Sequence, residues 1–143
     1  MIIDSHGHYT TVPPGMRIFR ALQISNMGRP TKGTVTISDD EIRSSLDKGQ
    51  IRLLDERGID LMLFSPMASA MGHHFGNAKV SRYWTEVSNE LIHRVCTLYP
   101  DRFVGVCALP DAFHGYGAPG GRTSAPTPQP LANSPVPVTV KVW

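Results

Sequence analysis

Over its first 110 residues the chain alternates short apolar runs with longer amphipathic segments. Each of three apolar runs is typical of a buried β-strand, and they span residues 2–5, 59–65 and 103–109. Three other segments carry apolar residues three or four positions apart, which predicts amphipathic helices, and they span residues 16–24, 38–57 and 81–99. Strands that alternate with helices favour a parallel sheet with helical crossovers. The pattern therefore predicts an α/β fold.

The predicted helices have recognisable boundaries and apolar faces. Ser38 and Glu41 form an S-x-x-E capping box, and Gly58 is the expected stop of that helix. The side chains expected in the core are Met16, Phe19 and Ile24 in the first helix, Ile42, Leu46, Leu53 and Leu54 in the second, and Trp84, Val87, Leu91, Val95 and Leu98 in the third.

From Asp111 onward this pattern is lost. Residues 111–143 contain six of the twelve prolines of the chain, and no helical period extends through 123–137. Such a composition is typical of a disordered segment with extended polyproline character. We therefore expect a folded part over 1–110 and a Pro/Gly/Ala-rich disordered tail over 111–143. The abrupt change is also what a truncated or frame-shifted reading frame produces.

Composition excludes several classes of function. The formal net charge is +2, from 14 basic and 12 acidic residues that are mixed along the chain, so no basic stripe indicates a nucleic-acid partner. No apolar run is long enough to span a membrane, and we expect no signal peptide, because no basic region followed by a long apolar stretch opens the sequence. Cys96 and Cys107 are expected to be buried free thiols of a reducing compartment. We expect a cytoplasmic protein, and the sequence leaves a homo-oligomer open.

The motif that carries chemistry is His6-Gly7-His8, at the end of the first predicted strand. Residues two apart on a strand point to the same side, so both imidazoles can reach one cation. Imidazole suits Zn²⁺ and similar divalent metals. From spacing alone, a pair of metal ligands and a pair of ordinary strand-end histidines are equally good interpretations.

Further motifs give the chain a family resemblance. Besides H-x-H, the segment Phe64-Ser65-Pro66-Met67-Ala68-Ser69 is followed by Gly72-His73-His74. With these motifs the chain resembles the amidohydrolase superfamily, in the branch that holds aminocarboxymuconate-semialdehyde decarboxylase and related hydratases. Similar agreement is found at residues 37–40, 89–91 and 99–103, and the resemblance covers about residues 1–110.

The resemblance implies the N-terminal portion of a (β/α)8 barrel, about three strands long, with zinc at the carboxyl ends of the strands. It implies a lyase that adds water to an unsaturated tricarboxylic acid in the catabolism of aromatic compounds. His6 and His8 match its first two metal ligands, and His73 is expected to contact the carboxylic acid substrate. A barrel of roughly 200 residues or more is needed for a complete site, so this chain is expected to show little turnover.

Two alternatives stay open. At the position of Met67 the related hydratases are expected to carry an arginine, the natural partner of a substrate carboxylate. Because this chain has methionine there, a decarboxylase of the same amidohydrolase branch is an alternative activity. A non-enzymatic α/β fragment whose tail meets a proline-recognising partner is the other alternative.

The remaining polar residues have plainer interpretations. Asp4 is expected to bond a backbone amide, with a role in orienting an imidazole as the alternative. Ser65 is expected to satisfy a backbone group at the end of its strand. His93 is expected on a helix surface, and His114 lies in the tail.

Overall fold

The computed structural model describes residues 1–67 and 75–110. Its described part is an α/β unit with a three-stranded parallel sheet in the order β1-β2-β3. The strands are β1 Ile3–His8, β2 Leu61–Ser65 and β3 Phe103–Gly105. The helices are α1 Pro14–Ser25, α2 Asp39–Leu46, α3 Arg52–Glu56 and α4 Ala78–Leu98, with a π-helical turn at Asp47–Ile51. The predicted α/β class with parallel strands is confirmed, whereas the predicted tail lies outside the described residues.

The helix boundaries follow the local signals in the sequence. Ser38 caps α2 through the predicted box, since its hydroxyl accepts a hydrogen bond from the Glu41 backbone while the Glu41 carboxylate accepts one from the Ser38 backbone. Gly58 ends α3 with φ 62°, a left-handed conformation that favours glycine. The Asn77 side chain caps α4, which begins three residues before the predicted start at residue 81.

The π-helical turn was not predicted, and it changes which side chains face inward. One long helix over 38–57 was expected, with Leu53 in its apolar stripe. The turn widens the helix after Leu46 and rotates the following residues. Leu54 is then fully buried, whereas Leu53 is 38% exposed. The prediction of Leu53 as a core residue is therefore wrong.

Aromatic side chains join the sheet to its helices. Phe64 at the centre of the sheet packs against Tyr9 and Phe103, with ring centroids 5.3 and 4.6 Å apart. Phe19 of α1 stacks on Trp84 of α4 at 6.0 Å. The predicted core face of α4 is buried at Trp84 and at three further positions, Val87, Leu91 and Val95.

Two strand predictions need correction. The first strand was expected to be buried, but β1 is an outer strand of the described sheet, with Ile2 57% and Ile3 50% exposed. The third strand was expected to reach Leu109 and ends instead at Gly105. Beyond that point the Asn89 side chain holds the backbone, because its amide bonds both the N–H and the carbonyl of Ala108 at 2.9 Å.

The two cysteines are free, as expected, but only Cys96 is partly buried. Cys107 follows the shortened β3 and is exposed, so the prediction of two buried thiols is wrong for it. Burial raises the pKa of the Cys96 thiol. No helix among the described residues is long and apolar enough to cross a membrane.

Candidate functional site

The two histidines of the H-x-H motif point at each other from the end of β1. Their Nε2 atoms lie 3.1 Å apart, and their rings meet edge to face with centroids 4.7 Å apart. Two nitrogens that bind one Zn²⁺ tetrahedrally at about 2.0–2.1 Å lie roughly 3.3 Å from each other. The spacing of His6 and His8 therefore fits two ligands of a single divalent cation. That both imidazoles lie on one side of the strand agrees with the sequence prediction.

Ser65 contacts the His8 ring at Nδ1 from the neighbouring strand. Its hydroxyl donates to the Gly7 carbonyl at 3.1 Å, so it fulfils the predicted role of satisfying backbone. The hydroxyl has one proton, and when that proton is given to Gly7, Ser65 Oγ accepts a hydrogen bond from Nδ1–H of His8 at 2.7 Å. This leaves the lone pair of His8 at Nε2, the atom that faces His6. The contact was not predicted, because it depends on the register that places His8 opposite Ser65.

Asp4 supports the backbone between the two imidazoles. Its carboxylate accepts a hydrogen bond from the His6 N–H at 3.0 Å. The pairing of β1 with β2 is irregular here, since Asp4 lies opposite Met62 and Gly7 lies opposite Phe64. Such a bulge leaves a strand N–H unpaired, and the Asp4 side chain satisfies it. The expected backbone contact of Asp4 is thus confirmed.

Gly7 allows β1 to lie close to β2. A Cβ atom at this position would lie 2.2 Å from Met62 Sδ and 2.9 Å from the Leu63 carbonyl oxygen. Both distances are too short for a side chain, and the second involves backbone. The glycine between the two histidines is therefore required by packing.

Gln50 of the π-helical turn holds the residues that follow His8. Its Nε2 donates to the His8 carbonyl at 3.2 Å and to Thr10 Oγ1 at 3.0 Å, and its Oε1 accepts from Thr11 Oγ1 at 2.5 Å. The side chain is buried. His8 is thus held from two directions, through its ring by Ser65 and through its carbonyl by Gln50. Sequence reasoning missed this residue, and a π-helical turn has no simple sequence signature.

Tyr9, the next residue, is fully buried and bonds Ser45 through its hydroxyl at 2.6 Å. Burial raises the pKa of Tyr9 to about 12, against the smaller opposing effect of the Ser45 hydrogen bond. The phenol therefore stays neutral around neutral pH and serves as part of the core.

The other predicted site residues are distributed differently. His73 lies outside the described residues, as do His74 and His114. Met67 follows β2 and is half-buried, and His93 is exposed on α4 as predicted. Within the described residues no group of three or more His, Cys, Asp or Glu side chains is placed to hold a metal ion. The described part thus offers a metal two nitrogen donors, His6 and His8.

Comparisons with known proteins agree with the family resemblance. No model of a known protein family matches the chain. The chain is 46% identical over 114 residues to 2-keto-4-carboxy-3-hexenedioate hydratase of Sphingobium sp. (strain NBRC 103272 / SYK-6), an alignment that covers 78% of this chain and 33% of that protein.

A solved structure gives the same result. The crystal structure of 4-oxalomesaconate hydratase from Rhodopseudomonas palustris superposes with a TM-score of 0.69 at 39% identity, over 85% of this chain and 35% of that one. The chain spans about a third of the length of both relatives. Its predicted resemblance is confirmed: the N-terminal part of this chain is similar in sequence and structure to hydratases of these two names.

Proposed function

We propose that this chain carries the first two metal ligands of a zinc-dependent hydratase of the amidohydrolase type, within the first strands of a (β/α)8 barrel. The proposed reaction is the addition of water to an unsaturated tricarboxylic acid such as 4-oxalomesaconate, in the catabolism of aromatic compounds. The observation that carries the proposal is the 3.1 Å approach of His6 Nε2 to His8 Nε2 at the end of β1, in a chain similar to two hydratases.

Three of the described residues, His6, His8 and Ser65, have roles in the proposed metal site. His6 and His8 present two unprotonated nitrogens to the cation, and Ser65 keeps the proton of His8 on Nδ1. When bound, Zn²⁺ supplies Lewis-acid chemistry that activates water and polarises a carbonyl oxygen. The family resemblance implies two further ligands, a histidine and an acidic residue, from later strands. In the full site, His73 is proposed to contact the substrate.

Zinc titration of the metal-free 143-residue chain tests the ligand assignment. We expect one zinc per chain, and loss of that binding in the double variant His6→Ala/His8→Ala. His93→Ala is the matched control, because His93 is exposed on α4 and belongs to no ligand group. If the double variant and the control bind zinc as the unmodified chain does, the ligand assignment is wrong.

The reaction class needs a complete barrel. The proposed reaction is tested with a chimera in which residues 1–110 of this chain replace the matching part of the Rhodopseudomonas palustris hydratase. Circular dichroism verifies that the chimera folds. We expect a folded chimera to add water to 4-oxalomesaconate, and the double histidine variant of the chimera to lose that activity. A folded chimera that is inactive would contradict the proposed hydratase.

Decarboxylation of a carboxylic acid, by an enzyme of the same amidohydrolase branch, is the second candidate function. The observation that favours it is Met67, two residues after the end of β2, where an arginine is expected in the hydratases. A thioether cannot pair with a substrate carboxylate. Release of carbon dioxide by the same chimera, without water addition, would support this candidate against the first.

A further inference from the structure

A cavity lies between α1 and α4, beside the ends of β1 and β2. Its volume is about 340 Å³, which is within the range of small-molecule sites. Thr10, two residues after His8, and Met67, two residues after Ser65, line it on the sheet side. Much of the remaining wall is apolar and includes Met16 and Trp84.

Ser88 of α4 has a buried hydroxyl that lines this cavity. The residue is 2% exposed, and its Oγ has no hydrogen-bond partner among the described residues. The hydroxyl of Thr85, three residues earlier on the same helix, is satisfied in the usual way, because it donates to the Ser81 carbonyl at 2.8 Å. A buried hydroxyl without a partner costs about 1–3 kcal/mol. A ligand bound in the cavity that Ser88 lines would supply the partner that this hydroxyl lacks among the described residues.

The two charged side chains among the described residues that line the cavity are both arginines. Arg17 and Arg20 lie three residues apart on α1, hence on one face of the helix, and both line the cavity. The Arg20 guanidinium also lies 5.9 Å from the centroid of the Phe75 ring. None of the described residues that line the cavity is acidic. Two guanidinium groups beside apolar walls are suited to a carboxylate on a short carbon chain.

We propose that this cavity binds a small organic acid. Arg17 and Arg20 pair with its carboxylate, the Ser88 hydroxyl donates a hydrogen bond to it, and Met16 and Trp84 pack against its carbon chain. The two arginines thereby supply the cationic contact that Met67 cannot make. That this acid is the substrate of the neighbouring histidine pair rests on the proposed function; binding in the cavity does not.

Calorimetric titration with cis-aconitate, an unsaturated tricarboxylic acid, tests the proposal. The protein is the 143-residue chain, made metal-free on a chelating resin, and the His6→Ala/His8→Ala variant is titrated in parallel. We expect the unmodified chain and the variant to bind cis-aconitate with similar affinity. Such a result would assign binding to the cavity independently of the two histidines. Binding that requires the two histidines would overturn the proposal, even where zinc binding supports the proposed function.

Three variants locate the binding. We expect Arg17→Gln/Arg20→Gln and Ser88→Ala each to weaken cis-aconitate binding at least about tenfold. Ser88→Ala should do so without lowering the free energy of unfolding, since it removes an unpaired buried hydroxyl. Arg57→Gln, an exposed arginine at the end of α3, is the control and should change affinity less than about twofold.

Three outcomes contradict the assignment. One is an undiminished affinity in Ser88→Ala and in the double arginine variant. Another is an equal loss in Arg57→Gln, which would indicate non-specific attraction by net charge. The third is sulfate binding as tight as that of cis-aconitate, since a bare anion site makes no use of the apolar walls.

Discussion

The Oγ atom of Ser65 lies 2.7 Å from Nδ1 of His8, and it reaches that ring from the neighbouring strand. The contact holds the orientation of the ring, and when the same hydroxyl donates to the Gly7 carbonyl it keeps the imidazole proton on Nδ1. An imidazole held in this way offers Nε2 to a cation without rearrangement.

Replacement of Ser65 is expected to weaken zinc binding. Ser65→Ala removes the acceptor for Nδ1–H, so His8 can rotate and exchange its proton between the two nitrogens. Loss of such a supporting contact typically costs about 10–100-fold in metal affinity. Zinc competition titration measures the change, and ¹⁵N NMR of the metal-free chain should show a mixture of His8 tautomers.

Two further variants make the Ser65 prediction specific. Ser65→Thr keeps a hydroxyl and should retain most of the zinc affinity, whereas Ser44→Ala, at an exposed position on α2, should have no effect. An unchanged His8 tautomer in Ser65→Ala would show that the hydroxyl does not set the proton position.

Enlargement of Gly7 is expected to destabilise the chain. In Gly7→Ala the new methyl group would overlap Met62 Sδ and press on the Leu63 carbonyl, so β1 must move away from β2. Overpacking of this kind costs about 1–3 kcal/mol, measurable by urea denaturation. Gly28→Ala is the matched control, because nothing lies within 4 Å of a Cβ atom there. Equal stability of the two variants would contradict the close approach.

Truncation of Gln50 is expected to loosen the residues after His8. Gln50→Ala leaves the His8 carbonyl and the Thr10 hydroxyl without their buried partner, at a cost of about 1–3 kcal/mol in the free energy of unfolding. Zinc affinity should fall as well, because the backbone at His8 is less restrained. Lys48→Ala, at an exposed position of the same π-helical turn, should leave both quantities unchanged.

The capping box makes stability depend on pH in the acid range. The Ser38 backbone N–H and hydroxyl both donate to the Glu41 carboxylate, and they lower the pKa of that carboxyl. This stabilisation is fully present above the usual pKa of glutamate and is lost as pH falls through the lowered value. The stability difference between the unmodified chain and Glu41→Gln should therefore shrink from pH 7 to pH 3 in urea denaturation. Glu90→Gln, at an exposed position on α4, is the control for the loss of one carboxylate.

Features that depend on neighbours in the sequence were predictable. The Ser38–Glu41 box and the stop at Gly58 follow from local hydrogen bonding and backbone conformation. The shared direction of His6 and His8 follows from the two-residue period of a strand. Each of these needs no knowledge of where the rest of the chain lies.

Features that depend on distant contacts were not predictable from the pattern. Ser65 meets His8 only through the pairing of two strands 57 residues apart in sequence. Gln50 reaches His8 only because a π-helical turn widens the helix. Ile2 and Ile3 have the composition of buried residues, and their exposure reflects the position of β1 at the side of the described sheet.

The irregular pairing in β1 has a consequence for the choice of partners across the sheet. Counted without interruption from the Asp4–Met62 pair, residue 8 would face Pro66, whose side chain has neither donor nor acceptor. The one additional residue between Asp4 and Gly7 brings the imidazole opposite a hydroxyl instead. Deletion of Ser5, with every functional side chain retained, would make the pairing regular and still leave His8 opposite Ser65. The irregularity thus lets a strand that is one residue longer keep the same partner for its imidazole.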